Sequence, residues 1–223
     1  MAKLQIQQAQ LVHTAYFAEP VLGLWGEGKG ILQSLYNAFH PFGAGLTDIR
    51  AEGINPGDQV VSVTLGQTGI HRFRFDRLET TFFNFSESEW ATFPAILAAS
   101  LEWVRKASPA TKIGRHQFTY TSHSRLEGEA GDACLRRIGP AAPKSGGVGQ
   151  GSGAIFHWEV PDRQWTTQLL VDKSLVVPDG LFLLFYLTIG VDKVDFFDIA
   201  ASGEKYFSSI LKELNLDLPA SNE

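Results

Sequence analysis

The sequence predicts an α+β protein made of two similar lobes, each an antiparallel sheet with a long helix packed across one face. Three observations lead to this prediction. Runs of alternating apolar and polar residues, which are typical of strands, follow one another directly along the chain rather than alternating with helices. Each of the two series of strands ends in an amphipathic stretch with helical spacing. The residues around these two closing stretches also match each other at a constant offset.

The first half begins with a strand and a helix. The alternating run "QLVHTAYF", residues 10–17, predicts the strand. Ile31, Leu35 and Phe39 share one face at helical spacing, and Pro41 ends the helix that they define.

Three further strands and a long helix complete this half. The strand-like runs are "VVSVTLG", "GIHRFRFD" and "LETTFFNF", separated by short breaks. Ser86 and Glu89 form a capping box, in which each side chain satisfies a free backbone N–H of the other residue. An apolar stripe then runs along the helix to about Lys106, and its members are Trp90, Phe93, Leu97, Leu101 and Val104.

The second half repeats this order. Its strand-like runs are "HQFTYTSHSRL", "AIFHWEV", "RQWTTQLLVD" and "GLFLLFYLTIG". A short helical candidate, "EAGDACLRRIG", lies between the first two of these runs, and a final helix is predicted from about Ile199 to Leu214.

The closing segments of the two halves resemble each other in sequence. With a constant offset of 114 residues and no gap, Phe82–Leu97 and Phe196–Leu211 are identical at six of sixteen positions. We interpret this match as an internal duplication, with an N-terminal lobe at residues 1–108 and a C-terminal lobe at residues 112–218. The alternative interpretation is two similar strand–helix junctions within one unrelated fold.

Composition is typical of a globular chain and excludes several classes of function. The 223 residues are 44% hydrophobic and 19% charged, which suits one large domain or two small lobes. The net charge of −5 argues against a nucleic-acid partner, because neutralising phosphates requires a basic face. A single cysteine excludes an intramolecular disulfide.

Neither a leader segment nor a membrane span is expected from the sequence. The first residues lack the continuous apolar core of a signal peptide, and the most apolar run, "GLFLLFYLTIG", is too short to span a bilayer. We therefore expect a cytoplasmic protein without a membrane partner.

A glycine-rich loop at residues 144–153 lies within the predicted second lobe. It holds five glycines, and Gly149, Gly151 and Ala154 formally fit the G-x-G-x-x-G/A pattern of dinucleotide-binding proteins. That pattern needs a strand before it and a helix after it, so that the helix N-terminus meets the pyrophosphate. Here a loop precedes and a strand follows, so we interpret the segment as a tether, with a mobile lid as the alternative, and expect no cofactor.

No pattern of residues identifies a catalytic or metal site. The six histidines form no H-x-x-x-H or H-E-x-x-H motif, and Cys134 lacks the context of a nucleophile. Asp192, Asp195 and Asp198 straddle a helix start, where acidic residues have a capping role. We therefore assign no catalytic residue and no metal ligand, and an enzyme is the less favoured class.

Three segments carry a resemblance to a family. They are "HRFRFDRLETTFFNFSESEWATFPAIL", "KIGRHQFTYTSHSRL" and the closing run from "TTQLLVDKSLVVPDGLFLLFYL" to "YFSSILKELNL". In these segments the chain resembles a sporadically distributed family of uncharacterised prokaryotic proteins. It departs from that family in the middle strand, where "HQFTYTSHS" stands in place of an arginine–tyrosine–asparagine pattern. The resemblance implies no activity and assigns no catalytic residue.

Three hypotheses of function follow from these observations. The first is a non-enzymatic binding or accessory protein that acts through protein–protein contacts, including self-association as a symmetric dimer. The second is a carrier of a small hydrophobic ligand between helix and sheet, with the lining residues Phe73, Phe75, Phe83, Trp90, Phe185 and Phe197. The third is an enzyme with a site between the lobes, for which the first candidates are His116, Arg115, His123 and Asp172.

Overall fold

The protein is an α+β structure with a large antiparallel sheet, which confirms the predicted fold class at that level. A computed structural model describes residues 1–21, 28–53, 58–85, 87–139 and 153–218. The four helices in these residues are α1 (Gly28–Phe39), α2 (Glu87–Ala107), α3 (Gly131–Ile138) and α4 (Phe196–Glu213). The ten strands are β1 (Ala2–Phe17), β2 (Ile49–Glu52), β3 (Val60–Leu65), β4 (Gly69–Phe73), β5 (Arg77–Phe83), β6 (Ile113–Glu127), β7 (Ala154–Val160), β8 (Trp165–Lys173), β9 (Leu181–Ile189) and β10 (Leu216–Asp217).

The chain divides into two compact units, and β1, β6, β9 and α4 contribute residues to both. The first, here called the meander unit, consists of Leu11–Phe118 and Thr188–Ala200. The second, here called the hairpin unit, consists of Met1–Gln10, Thr119–Leu187 and Ala201–Glu223.

The meander unit arranges its strands in the order β2-β3-β4-β5-β1-β6. The first four strands form antiparallel neighbours in unbroken register, with Val61 opposite Phe73 and His71 opposite Thr80. Phe73 is buried between rings of α1 and α2, because its ring lies 6.0 Å from that of Phe39 and 4.5 Å from that of Trp103. The two helices therefore close one face of this part of the sheet.

The hairpin unit arranges its strands in the order β1-β6-β9-β8-β7, and β10 adds a short parallel pair with β1. The α4 helix packs on this sheet through Phe207, whose ring lies 5.4 Å from Tyr120 and 4.9 Å from Phe185. Tyr206 of the same helix makes an edge contact with Trp165 of β8. These contacts define the core face of the hairpin unit.

Most predicted elements are found, and most of their limits shift by a few residues. The predicted strand at residues 10–17 extends back to Ala2, and the final helix begins at Phe196 rather than at Ile199. The short strands β2 and β10 were not expected, because two to four residues carry too little periodicity to indicate a strand. Ser86 lies outside the described residues, as does the side chain of Glu89, so the capping box stays a prediction. No helix among the described residues combines the length and apolar character that crossing a membrane requires.

The internal duplication also stays a prediction. At the offset of 114 residues, Phe82 and Phe83 end the strand β5, whereas their counterparts Phe196 and Phe197 begin the helix α4. The match in sequence therefore does not pair equivalent structural positions along its whole length. The two compact units are built from separated segments, and they are a different division from the lobes 1–108 and 112–218.

Replacement by alanine is expected to change the free energy of unfolding in opposite directions at two glycines of the hairpin unit. A Cβ on Gly180 would lie 2.6 Å from the carbonyl oxygen of Ser124, whereas one on Gly203, inside α4, would meet only Leu187 at 3.8 Å. We expect Gly180→Ala to lower the free energy of unfolding by about 1–3 kcal/mol and Gly203→Ala to raise it by up to about 1 kcal/mol. Urea unfolding of both variants measures this, and an unchanged midpoint for Gly180→Ala would contradict the close approach of β6 to this turn.

Candidate functional site

The strand β7 lies at one end of the strand order in the hairpin unit. It pairs with β8 over seven consecutive residues, from Ala154 opposite Val171 to Val160 opposite Trp165. The register is unbroken, so β7 contains no bulge. Its outer edge has no strand partner within the described part of the chain.

The side chains of β7 form two rows of different character. One row is apolar, and it lies on the same face as the buried residues of β8; its members are Ala154, Phe156, Trp158 and Val160. Phe156 and Trp158 are half-buried, and their rings stack with centroids 5.7 Å apart. The other row is exposed and consists of Ile155, His157 and Glu159. The apolar face of the sheet therefore continues to the last strand, where it is only partly covered.

The usual protections of an edge strand are weak in β7. Edge strands are normally short, or carry lysine, proline or bulges that discourage pairing with another chain. The strand β7 has seven residues, no proline, no lysine or arginine, and a single carboxylate, Glu159. By contrast β2, at the opposite end of the strand order, has four residues, and its exposed positions include Arg50 and Glu52. Of these two strands, β7 is therefore the better template for strand addition.

An apolar turn lies beside the start of β7. Leu175 is 97% exposed and Val176 is 51% exposed, in the turn that joins β8 to β9. The turn is held in shape by Ser174, whose Oγ accepts the backbone N–H groups of Val176 (3.1 Å) and Val177 (2.8 Å). Its hydroxyl hydrogen is then directed at Nδ1 of His123, 2.9 Å away. Two aliphatic side chains are thus presented to solvent on a fixed turn.

The meander unit contains a cleft of about 300 Å³ beside α2. Its walls are Ala98, Leu101, Glu102, Arg105, Lys106, Val194 and Phe196. The cations at the rim are partly engaged, since Arg105 donates to the carbonyl oxygen of Asp192 at 3.1 Å and Lys106 lies 2.6 Å from Glu102. The cleft therefore combines an apolar wall with charges of both signs.

Two buried histidines lie against the ring of Phe196. Nε2 of His13 and Nδ1 of His116 are 3.1 Å apart, so one imidazole donates a hydrogen bond to the other. Phe196 makes edge contacts with both rings, at centroid distances of 5.3 and 5.7 Å. Burial lowers the pKa of His116 to about 4, although the carbonyl and carboxylate of Asp192 oppose the shift. Burial, followed by the charge of neighbouring imidazoles, also holds the pKa of His13 well below its usual value.

A third buried histidine, His71, lies in the core beside α2. Nδ1 of His71 is 2.5 Å from Oγ1 of Thr80, and Nε2 has no hydrogen-bond partner among the described residues. Burial lowers the pKa of His71 to about 3. Ser100 is 3.5 Å away, but its hydroxyl donates to the carbonyl of Ile96 at 2.7 Å. This serine–histidine pair is a core contact without access to a substrate.

The six aromatic residues predicted to line a cavity have different surroundings. Phe73 is buried in the meander unit, and Phe185 is buried in the hairpin unit. Phe83 and Phe197 are 40% and 58% exposed. Trp90 stacks between Phe85 and Phe93 on α2, and Phe75 accepts the backbone N–H of Val21 through its carbonyl oxygen. None of the six lines the cleft beside α2.

The four residues suggested for an enzyme have structural contacts. His116 belongs to the buried pair described above, and the guanidinium of Arg115 lies over the ring of Tyr16 at 4.2 Å. In the hairpin unit, His123 bonds to Ser174, while Asp172 accepts the backbone N–H of Lys173. Each of the four side chains thus has a local role in the structure.

The other residues considered for chemistry are also accounted for. Burial raises the pKa of Cys134 to about 11, so the thiol is protonated at neutral pH and is a poor nucleophile. Asp195 caps α4 by accepting the backbone N–H groups of Phe197 and Asp198, at 2.9 and 3.2 Å. No group of three or more histidine, cysteine or acidic residues is placed to hold a metal ion, as far as the described residues extend. Of the glycine-rich loop, residues 144–152 lie outside them.

Comparisons with family models and with curated proteins find no relative of the chain. No protein-family model matches the chain, and no curated protein matches it significantly.

The buried histidines predict a loss of stability in acid. Their pKa values are lower in the folded state than the usual 6.5, so the unfolded chain binds more protons between about pH 6.5 and pH 4. The contribution of the three neutral histidines to the free energy of unfolding is therefore fully present above pH 6.5. It falls as the pH falls, by about 1.4 kcal/mol per pH unit for each histidine.

Urea unfolding between pH 7 and pH 5 measures this slope. Replacing His71 by glutamine keeps a polar side chain of similar size and removes one titrating group. The slope of the free energy of unfolding against pH should therefore fall by about 1.4 kcal/mol per pH unit. Measurement at pH 8, where all three imidazoles are neutral, is the control. An unchanged slope in His71→Gln would contradict the assignment of a neutral core histidine.

Proposed function

We propose that the protein is a non-enzymatic binding or accessory protein that acts through protein–protein contacts, with the outer edge of β7 as its contact surface. The observation that carries this proposal is a regular seven-residue strand, largely apolar, at the end of the strand order. The described residues provide no second neighbour for it. Such an edge is a template for strand addition.

Strand addition would use two features of β7. Unpaired N–H and C=O groups along the outer edge would supply main-chain hydrogen bonds to an extended segment. Alternate side chains of that segment would lie beside Phe156 and Trp158 and cover the half-buried aromatic row. The proposed partner is therefore an extended segment with apolar residues at every second position.

The order of strands in the two halves supports the same proposal. In the first half β1 is followed outward by β5, β4 and β3, and in the second half β6 is followed outward by β9, β8 and β7. We infer an internal duplication in which these strands correspond, with a longer connection before α4 (residues 190–195) than before α2 (residues 84–86). In this correspondence β2 covers the outer edge of β3, and a partner strand would take the equivalent place beside β7.

A second candidate function, the binding of a small amphipathic ligand, is favoured by the cleft beside α2. Its volume of about 300 Å³ is at the lower end of the range for small-molecule sites. Phe196 and Leu101 would contact an apolar group, and Arg105 and Lys106 at the rim would attract an anion. The chemical class that fits is a small apolar molecule with one negative charge.

The cleft can be tested with a fluorescent probe, 1-anilinonaphthalene-8-sulfonate, which is apolar and anionic. Ala98 lines the cleft and is exposed, so Ala98→Trp should fill the space and reduce probe binding at least about tenfold. Ala91→Trp, exposed on the same helix but outside the cleft, is the matched control and should bind as the wild type does. Equal binding by both variants would exclude this site.

The β7 proposal predicts the effect of one charge on the aromatic row. Trp158→Lys should weaken the complex with a partner polypeptide at least about tenfold, because pairing at β7 would then bury a lysine among apolar groups. Native mass spectrometry of protein purified from its own host measures the complex, and circular dichroism checks that the variant is folded. Glu52→Lys, on the edge strand β2, is the control and should retain the complex. A complex that persists in Trp158→Lys would exclude β7 as the contact surface.

A further inference from the structure

We propose that the strand which adds to β7 is β7 of a second copy of this chain, paired antiparallel about a two-fold axis at Trp158. This inference rests on the proposed contact function of β7. It goes further by naming the partner and the register of the contact.

The apolar row of β7 is complementary to itself in this register. In a symmetric antiparallel pair centred on Trp158, that residue faces its own copy, and Phe156 faces Val160 on both sides of the axis. A two-fold axis perpendicular to the sheet keeps the same face of each copy on the same side. The two aromatic rows would therefore join into one apolar strip of six side chains, and aromatic or β-branched cross-strand pairs stabilise sheets.

The exposed row of β7 is complementary in charge. In the same register His157 of each copy faces Glu159 of the other, which gives two symmetric pairs of an imidazole and a carboxylate. An imidazole N–H donates to a carboxylate in either protonation state, and the pair gains further attraction when the imidazole is charged. Both rows of side chains thus favour one arrangement.

Neighbouring registers lack this complementarity. A pair centred on His157 would also match the apolar row, with Phe156 opposite Trp158, but it would place each Glu159 opposite Ile155, so that the carboxylate faces an aliphatic side chain. A pair centred on Glu159 would bring two carboxylates together, and like charges directly opposite destabilise a sheet. The exposed row therefore favours the register centred on Trp158, because His157 and Glu159 face each other only there.

The geometry favours a closed dimer over a filament. Pairing of a strand with its own copy is isologous, so the outer edge of β7 is occupied in both copies and neither can pair with a third chain there. The other end strand, β2, is short and carries Arg50 and Glu52, which discourages propagation from that end. In this register five residues of each strand, 156–160, lie opposite each other. Such a contact is small beside a standard interface of about 1,600 Å², so we expect a dissociation constant in the micromolar range.

Analytical ultracentrifugation between about 1 and 100 µM tests the dimer, because this range spans a micromolar equilibrium. The wild type should shift with concentration from the chain mass of 24.5 kDa to twice that mass. His157→Glu would place glutamates opposite each other at two sites, and it should raise the dissociation constant at least about tenfold. The double variant His157→Glu/Glu159→Lys restores opposite charges and should restore the dimer. Glu52→Lys is the matched control and should dimerise as the wild type does.

Cysteine cross-linking tests the register. Cys134 is the only native cysteine and is buried, so an introduced surface thiol is the reactive one. A mixture of His157→Cys and Glu159→Cys chains, oxidised with diamide, should form a disulfide between the two variants. Each variant alone should cross-link much less, because identical positions are then diagonal and about 7–8 Å apart. Cross-linking of His157→Cys with itself in preference to the mixture would overturn the register.

The outcomes separate the self-pairing from the proposed function. A wild-type chain that stays monomeric, while native mass spectrometry finds a different polypeptide bound in a Trp158-dependent way, overturns self-pairing and leaves the contact function intact. A monomer that binds no polypeptide at β7 overturns both. A dimer that survives His157→Glu unchanged overturns the proposed pairing.

Discussion

Backbone hydrogen bonding along the strands is the constraint on which the rest of the structure depends. Among the described residues, each strand inside the main strand order has a neighbour on both sides, and the end strands β2 and β7 have one each. The two-residue strand β10 lies outside this order and pairs with β1. An unpaired edge can pair with another chain, and β2 offers little edge for such pairing because it is short and charged. The strand β7 offers a longer edge, since its regular pairing with β8 leaves a seven-residue outer edge beside an aromatic row. The candidate function follows from that difference between the two ends.

Packing, in turn, determines the protonation of the buried histidines. His13, His71 and His116 are buried, and their lowered pKa values follow from the loss of water around the imidazole rings. These three histidines are part of the core, where they link the free energy of unfolding to pH. Exposed apolar side chains lie on the β8–β9 turn and on β7, as with Leu175 and Ile155, and also in other elements, as with Phe197 of α4.

Part of the candidate site could be predicted from sequence. The run "AIFHWEV" alternates clearly enough to give β7 its limits, Ala154–Val160. The six aromatic residues grouped as one lining have different surroundings, because alternation gives the face of a strand but not its neighbours. The cleft beside α2 was not predicted, since Val194 and Phe196 lie about ninety residues from the helix that they face.

The sequence by itself determined the helices and the longer strands, since periods of 3.6 and 2 depend on residues a few positions apart. It also determined that β7 has one apolar and one mixed row, because those rows are a property of seven consecutive residues. Only the tertiary structure decided which strand lies at the end of the strand order. Strand neighbours are chosen by contacts between distant segments, as in the pairing of Ala2 with Leu216, and no local pattern encodes that choice.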